Sequence, residues 1–206
     1  MDLKIVLGGS IHTNCYVLYE NSNALLVDYA PEVLDFLRDR RLNPTALMLT
    51  HIHFDHFEGL SDFLTIYPDI PVYISKEGKD GINKPVYTLN FQSPYHIDTD
   101  SFRAVDNSSI IEWGGVKINV LKTPGHSVDS VVYYVPELKS VFCGDTIFYR
   151  SVGRTDFPGS SHEVLMSSIA SIFAQYDDGT ILYPGHGPVT SIGSEKKHNS
   201  FIRSFV

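Results

Sequence analysis

The chain has 206 residues, 43% hydrophobic and 19% charged, a balance that suits one folded domain and excludes disorder. Its 16 basic residues against 24 acidic give a formal charge of −8, which argues against a nucleic-acid partner, because such a surface carries a basic patch. No apolar run approaches the roughly 18 residues that span a bilayer, and the N-terminal MDLKIVLGGSIHTN lacks a signal-peptide core, so no membrane association and a cytoplasmic location are expected.

Short strand-like runs at 3–7, 15–19 and 24–27, separated by Gly, Asn and Ser clusters, predict an N-terminal β-meander. Pro31 then stands where a first helical position would be, and PEVLDFLRDRRL puts Val33, Phe36 and Leu37 on one face. Asn43-Pro44 is read as the stop of that helix. TALMLT follows as a short apolar strand buried on both sides. After the stretch THIHFDHFEG at 50–59, Leu60, Phe63 and Leu64 suggest a helix and PVYIS another strand.

Residues 76–109 mix Gly, Asn, Pro, Ser and Asp with scattered aromatics and predict a long excursion with little regular structure. Long loops in compact domains are often functional. Its aromatics Tyr87, Phe91, Tyr95 and Phe102 could line a pocket or anchor the excursion. Strands are expected again at 110–113, 116–121, 131–135 and 140–143, the first two joined by a Gly114-Gly115 hairpin turn. Ser160 with Glu163 reads as a capping box opening a helix that buries Leu165, Ile169, Ile172 and Phe173. The run 181–183 is taken as the last strand. No linker divides the chain, so a single domain over 1–206 is expected, with two sheets and helices outside them.

Four of these strands end alike. TALMLTHIH, VKINVLKTPGH and GTILYPGH each carry an apolar strand into a histidine, and VFCGDT carries one into an aspartate. One histidine alone reads as an ordinary solvated or hydrogen-bonded side chain; several delivered by strand ends read as metal ligands. His51, His53 and Asp55 recur at every second residue, and at a strand end turning into a loop that spacing aims side chains the same way. His56 then points elsewhere, which suits a second, adjacent ion. The pattern differs from the helical HExxH motif.

A dinuclear site uses every candidate. His51, His53 and His126 would hold one ion, Asp55, His56 and His186 the other, and Asp145 would bridge. Imidazole and carboxylate without thiolate suit zinc, iron or manganese. His12, His96, His162 and His198 lie outside the pattern and are expected to be structural or exposed. Gly125, Gly144 and Gly185 are expected to permit the turns that aim the ligands. Cys15 and Cys143 are far apart, show no CxxC spacing, and are expected to be buried thiols, Cys143 within the core.

HIHFDH followed by His126, Asp145 and His186 resembles the metallo-β-lactamase superfamily, whose pattern is HxHxDH and then H, D and H. The resemblance implies an α/β fold, a four-layer αββα sandwich of two mixed β-sheets flanked by helices. It also implies two divalent metal ions, with zinc expected and iron or manganese as alternatives. GDTIFYRSVGRTDFPGSS at 144–161 further resembles the short glyoxalase-II-like hydrolases. Their larger relatives, the hydroxyacylglutathione hydrolases, add a C-terminal helical domain that the short tail after His186 is not expected to form. Arg154 falls where those enzymes carry a glutathione-binding lysine and is the expected substrate-binding residue. Asp156 and Pro188 stand where they carry tyrosines that contact the tripeptide.

The implied chemistry is hydrolysis of a thioester or related small acyl substrate by a metal-bridging hydroxide. Asp55, both ligand and hydrogen-bond acceptor, would orient that hydroxide or pass on its proton. The alternative is a persulfide dioxygenase, a class that resembles this family closely and binds one iron through the equivalents of His51, His126 and Asp145. The oligomeric state is not legible in the sequence.

Overall fold

A computed structural model describes residues 1–90 and 96–203. It forms two compact units, Met1–Val105 and Asp106–Val206. Phe91 and Tyr95 lie outside the described residues.

The first unit is one six-stranded mixed sheet with its strands in chain order: β1 (Asp2–Gly8), β2 (Thr13–Glu20), β3 (Asn23–Val27), β4 (Asn43–Met48), β5 (Val72–Ser75) and β6 (Arg103–Val105). The first three pair antiparallel through short turns. From β3 onward the pairing is parallel, which requires crossovers. Helices α1 (Pro31–Arg40) and α2 (Leu60–Ile66) supply two of them. The core gathers Leu26, Val33, Leu37, Leu47, Leu49, Phe63, Val72 and Ile74, all fully buried.

Helix α1 starts at Pro31 as expected and buries Val33 and Leu37. Phe36 is only half-buried, edge-on to Tyr19 with centroids 6.2 Å apart. The helix is not stopped by Asn43-Pro44, which open β4 opposite Asn23 and Ala24. The stop is Arg41, at φ 54°, with Arg41 N–H donating to Arg38 O at 3.1 Å and Leu42 N–H to Leu37 O at 2.8 Å. That is a Schellman turn built on arginine instead of glycine. Pro44 is tolerated in the strand because the β3–β4 register shifts between Ala24 and Leu25.

The 76–109 excursion holds more regular structure than its composition suggests: α3 (Lys76–Gly81), α4 (Pro85–Thr88) and β6. Ser75 caps α3 by accepting the Gly78 N–H at 3.0 Å. Asn83 acts as a strand partner for Ile97, accepting its N–H and donating to its carbonyl, both at 2.8 Å. Phe102 is buried in the core and anchors the segment, whereas Tyr87 is exposed.

The second unit is a second six-stranded mixed sheet. Its strands are β7 (Ile110–Trp113), β8 (Val116–Lys122), β9 (Val131–Val135), β10 (Ser140–Gly144), β13 (Ile181–Pro184) and β14 (Thr190–Ser191), in the order β14-β13-β10-β9-β8-β7. A small hairpin, β11 (Ile147–Phe148) and β12 (Ser151–Val152), stands apart. Gly114 and Gly115, at φ 55° and 83°, make the tight turn between β7 and β8. Among the described residues of this unit only β10 and β13 pair in parallel, and α5 (His162–Gln175) makes that crossover, burying Leu165, Met166, Ile169, Ile172 and Phe173.

Two expectations are corrected here. The cap of α5 is Ser161, whose side chain accepts the Val164 N–H; Ser160 instead closes a local turn on Phe157. The last strand is β14, followed by α6 (Ile192–His198). Both elements are too short to leave a periodic signal. Cys15 and Cys143 are free, buried thiols, and burial is the main cause that raises both above the ordinary thiol range. Among the described residues no helix is long and apolar enough to cross a membrane.

An ion pair fastens α6 to the β11–β12 turn. Glu195, fully buried, accepts from Arg150 N–H at 2.9 Å, Arg150 Nη1 at 2.5 Å and Thr190 Oγ1 at 2.5 Å. Glu195→Ala strands these donors. Since Arg150 keeps 30% exposure, the loss should be about 2 kcal/mol, below the 3–5 of a fully buried pair. Urea unfolding of the two proteins checks it; a midpoint unchanged at equal slope would refute it.

Candidate metal centre

In the first unit the candidate side chains follow the end of β4. Asp28, held at φ 56° just beyond β3, ties this segment together. Its backbone N–H donates to Met48 O at 2.9 Å, and its carboxylate accepts Thr50 N–H and Thr50 Oγ1, both at 2.8 Å. The same carboxylate faces His56 Nδ1 at 2.8 Å. A carboxylate only accepts here, so Nδ1 carries a proton, and in the neutral ring Nε2 presents its lone pair. The turn Phe54–His56 is pinned by His56 N–H to His53 O at 3.0 Å and by Tyr29 N–H to His56 O at 2.9 Å.

The facing atoms are close. His51 Nε2 lies 3.1 Å from His53 Nδ1, and His56 Nε2 lies 3.2 Å from Asp55 Oδ2. Thr13 Oγ1 donates to Asp55 Oδ2 at 2.7 Å and fixes its rotamer. His51, His53, Asp55 and His56 are all buried. Burying so many polar groups on one turn is costly unless they are bonded or ligating.

In the second unit three strand ends meet. His126 follows β8, Asp145 follows β10 and His186 follows β13. Asp145 Oδ2 lies 3.5 Å from His126 Nε2 and 3.7 Å from His186 Nε2. His126 Nδ1 lies 2.8 Å from Arg154 O, so it donates to that carbonyl and Nε2 points to Asp145. Gly185 N–H donates to Gly144 O at 2.8 Å, joining the ends of β10 and β13.

Glycines set these approaches, as expected for Gly125 and Gly144, which lie at φ 138° and 47°. A Cβ on Gly125 would fall 2.4 Å from the Leu165 backbone, so α5 rests directly on the loop that carries His126. Gly185 has no such φ. A fourth glycine, Gly153, was not singled out by sequence. A Cβ there would lie 1.9 Å from Asp145 O and 3.0 Å from His126 Cβ.

Arg154 sits beside His126 through its backbone. Its exposed side chain pairs with Asp156, Nε to Oδ1 at 2.9 Å and Nη2 to Oδ2 at 2.7 Å. The pairing raises Arg154 and holds the Asp156 carboxyl below its ordinary range. His12, His96, His162 and His198 are all exposed.

Donor atoms around one tetrahedral ion with bonds of about 2.0–2.1 Å stand roughly 3.3–3.4 Å apart. The separations within each unit, 3.1 to 3.7 Å, bracket that spacing. The chain therefore has histidine and aspartate groups that could hold a metal ion. Asp28 and Thr13 were missed by the sequence reading. Asp28 had a signal, since LLVDYA also runs an apolar strand into a carboxylate; Thr13 had none.

Asp28→Asn tests the clamp. An amide has one acceptor oxygen where Thr50 and His56 together need two, so either Thr50 N–H meets an NH2 or His56 is driven to its other tautomer. Metal affinity measured by chelator competition should fall about 10- to 100-fold; an unchanged affinity would separate Asp28 from the metal.

A family model described as the metallo-beta-lactamase superfamily matches residues 8–186. Among similar proteins, hydroxyacylglutathione hydrolase GloC of Haemophilus influenzae is 30% identical, with 99% of both chains covered. The probable metallo-hydrolase YqgX of Bacillus subtilis is 31% identical over 96% of this chain and 95% of that one. Among solved structures, the BLEG-1 B3 metallo-beta-lactamase superposes with a TM-score of 0.90 at 32% identity, covering 98% of this chain and 99% of that one. TTHA1623 in a di-iron-bound form gives 0.81 at 29%, covering 96% and 99%.

Proposed function

This chain belongs to the metallo-β-lactamase superfamily and has its fold, and on that premise we propose that it is a metal-dependent hydrolase of a small acyl thioester. The carrying observation is the donor spacing: within each unit the imidazole nitrogens and carboxylate oxygens stand as far apart as ligands of a single ion do. In this reading His51, His53 and His126 hold one ion, Asp55, His56 and His186 hold the other, and Asp145 is shared. Zinc is the proposed metal; the similarity to a di-iron protein keeps iron as its rival.

Two bound cations would supply an acidified water and positive charge for the developing oxyanion. The chain's own groups do the rest. Asp55, oriented by Thr13, takes the proton of the attacking water. Asp28 and Arg154 O fix the tautomers of His56 and His126 so that Nε2 faces inward in both. A thiolate leaves without a dedicated acid, because thiols ionise near pH 8.5 (a value of about that size). Similarity to GloC supports the thioester. The reading treats the chain as a single domain acting on a small molecule in the cytoplasm, with Arg154 at the substrate.

The test is elemental analysis of untagged protein followed by a panel of acyl thioesters. About two zinc per chain with turnover above free metal is expected. Similarity to BLEG-1 favours a second reading, lactam hydrolysis, so a chromogenic cephalosporin belongs in the panel. Turnover of the lactam alone would replace the thioester. One iron per chain with oxygen uptake on a persulfide would move the protein to the dioxygenases.

A further inference from the structure

The turn Gly153–Phe157 is built onto the His126 ring. Arg154 O holds Nδ1 at 2.8 Å, and Phe157 stands edge-on to the imidazole with centroids 5.8 Å apart. The Arg154 guanidinium lies 4.6 Å above the Phe157 ring. This stack places the one nearby cation of the turn beside a candidate ligand. Its Nε and Nη2 form the bidentate edge that a substrate carboxylate would seek, yet Asp156, two residues on, already fills it with both oxygens.

Resting on the acyl-hydrolase reading, we propose that Asp156 sets the charge preference of this rim, occupying the Arg154 edge an anionic substrate group would take. The substrate class is then an acyl compound whose thiol portion is uncharged. The pair adds no net charge of its own, and an incoming carboxylate must both displace Asp156 and lie beside its charge. The pair is 68% and 65% exposed, so it can be displaced, and the penalty is one of preference, not exclusion. Arg154 also has a contact that does not involve Asp156, its stacking on Phe157.

The experiment compares two acyl thioesters with the same acyl group, one of glutathione, which is anionic, and one of N-acetylcysteamine, which is neutral. The ratio of their kcat/KM values should move toward the glutathione ester by roughly fivefold in Asp156→Asn and further in Asp156→Lys. The shift should shrink in 0.5 M salt (a concentration of about that size screens charges beyond roughly 4–5 Å). A merely structural Asp156 would alter both esters alike and leave the ratio fixed.

The same charge preference is read without turnover as the ratio of the dissociation constants of the two free thiols, measured by calorimetry with zinc-loaded protein. If no thioester is cleaved, the hydrolase reading fails while the calorimetric ratio still decides the role of Asp156. Movement of less than twofold in both variants, or no binding of either thiol in a protein that cleaves neither ester, overturns the proposal.

Discussion

Asp55→Asn should lower kcat on the best thioester by about a hundredfold to a thousandfold, within the range for loss of a positioned general base. The reason is geometric. Thr13 Oγ1 donates to Asp55 Oδ2 at 2.7 Å, and His56 Nε2 faces the same oxygen at 3.2 Å. One carboxylate oxygen thus takes an orienting bond and faces a second candidate ligand, and its burial keeps water from replacing Thr13. Asparagine preserves shape and one acceptor but has no proton affinity. The effect should therefore fall on kcat more than on KM. Metal content must be measured on the same samples, because a parallel loss of metal would assign the defect to ligation. A kcat within tenfold of the parent at full metal load would remove Asp55 from proton transfer.

What the sequence made legible follows from how the ligands are delivered. Strands ending in His51, His126, Asp145 and His186 combine an apolar run with a residue type that has few other reasons to stand there. Both signals are local. Asp28 is a clearer lesson than a failure of pattern. Its strand-end position was visible, but its value lies in reaching Thr50 and His56, 22 and 28 residues away, and such pairings are set by the β3–β4 register, not by spacing along the chain.

The elements misplaced by sequence share another cause. Arg41 ends α1 in the left-handed region, where glycine is the usual signal. The excursion after β5 is held by Asn83 imitating a strand. In both places a side chain or backbone outside its usual role replaces the cue that periodicity and turn chemistry look for. The other strands of the two sheets, all but β6 and β14, were legible because they are apolar and punctuated by Gly, Asn and Pro.

Gly153 lies inside the 144–161 segment, which resembles the glyoxalase-II-like hydrolases, but no turn or ligand marks it out, and it should show the largest combined effect on stability and activity. Its φ is unremarkable for an L-residue, so strain is not the issue; room is. A methyl at this position would lie 1.9 Å from Asp145 O and 3.0 and 3.1 Å from His126 Cβ and Cγ. Carbon and oxygen cannot approach that closely, so Gly153→Ala must push the Asp145 backbone away by more than about 1 Å to reach ordinary contact. The neighbouring chain cannot yield easily. Gly153 N–H donates to Thr146 O, and Thr146 N–H donates to Cys143 O at 3.0 Å. Overpacking of this kind costs about 1–3 kcal/mol. A displacement near 1 Å at a positioned group can also cost about a hundredfold in rate. Both losses are expected together, with reduced metal affinity. Gly179→Ala is the control, since a Cβ there meets nothing within 4 Å. Equal urea midpoints for the two variants would show that the β12 turn gives way freely and that Gly153 does not hold Asp145 in place.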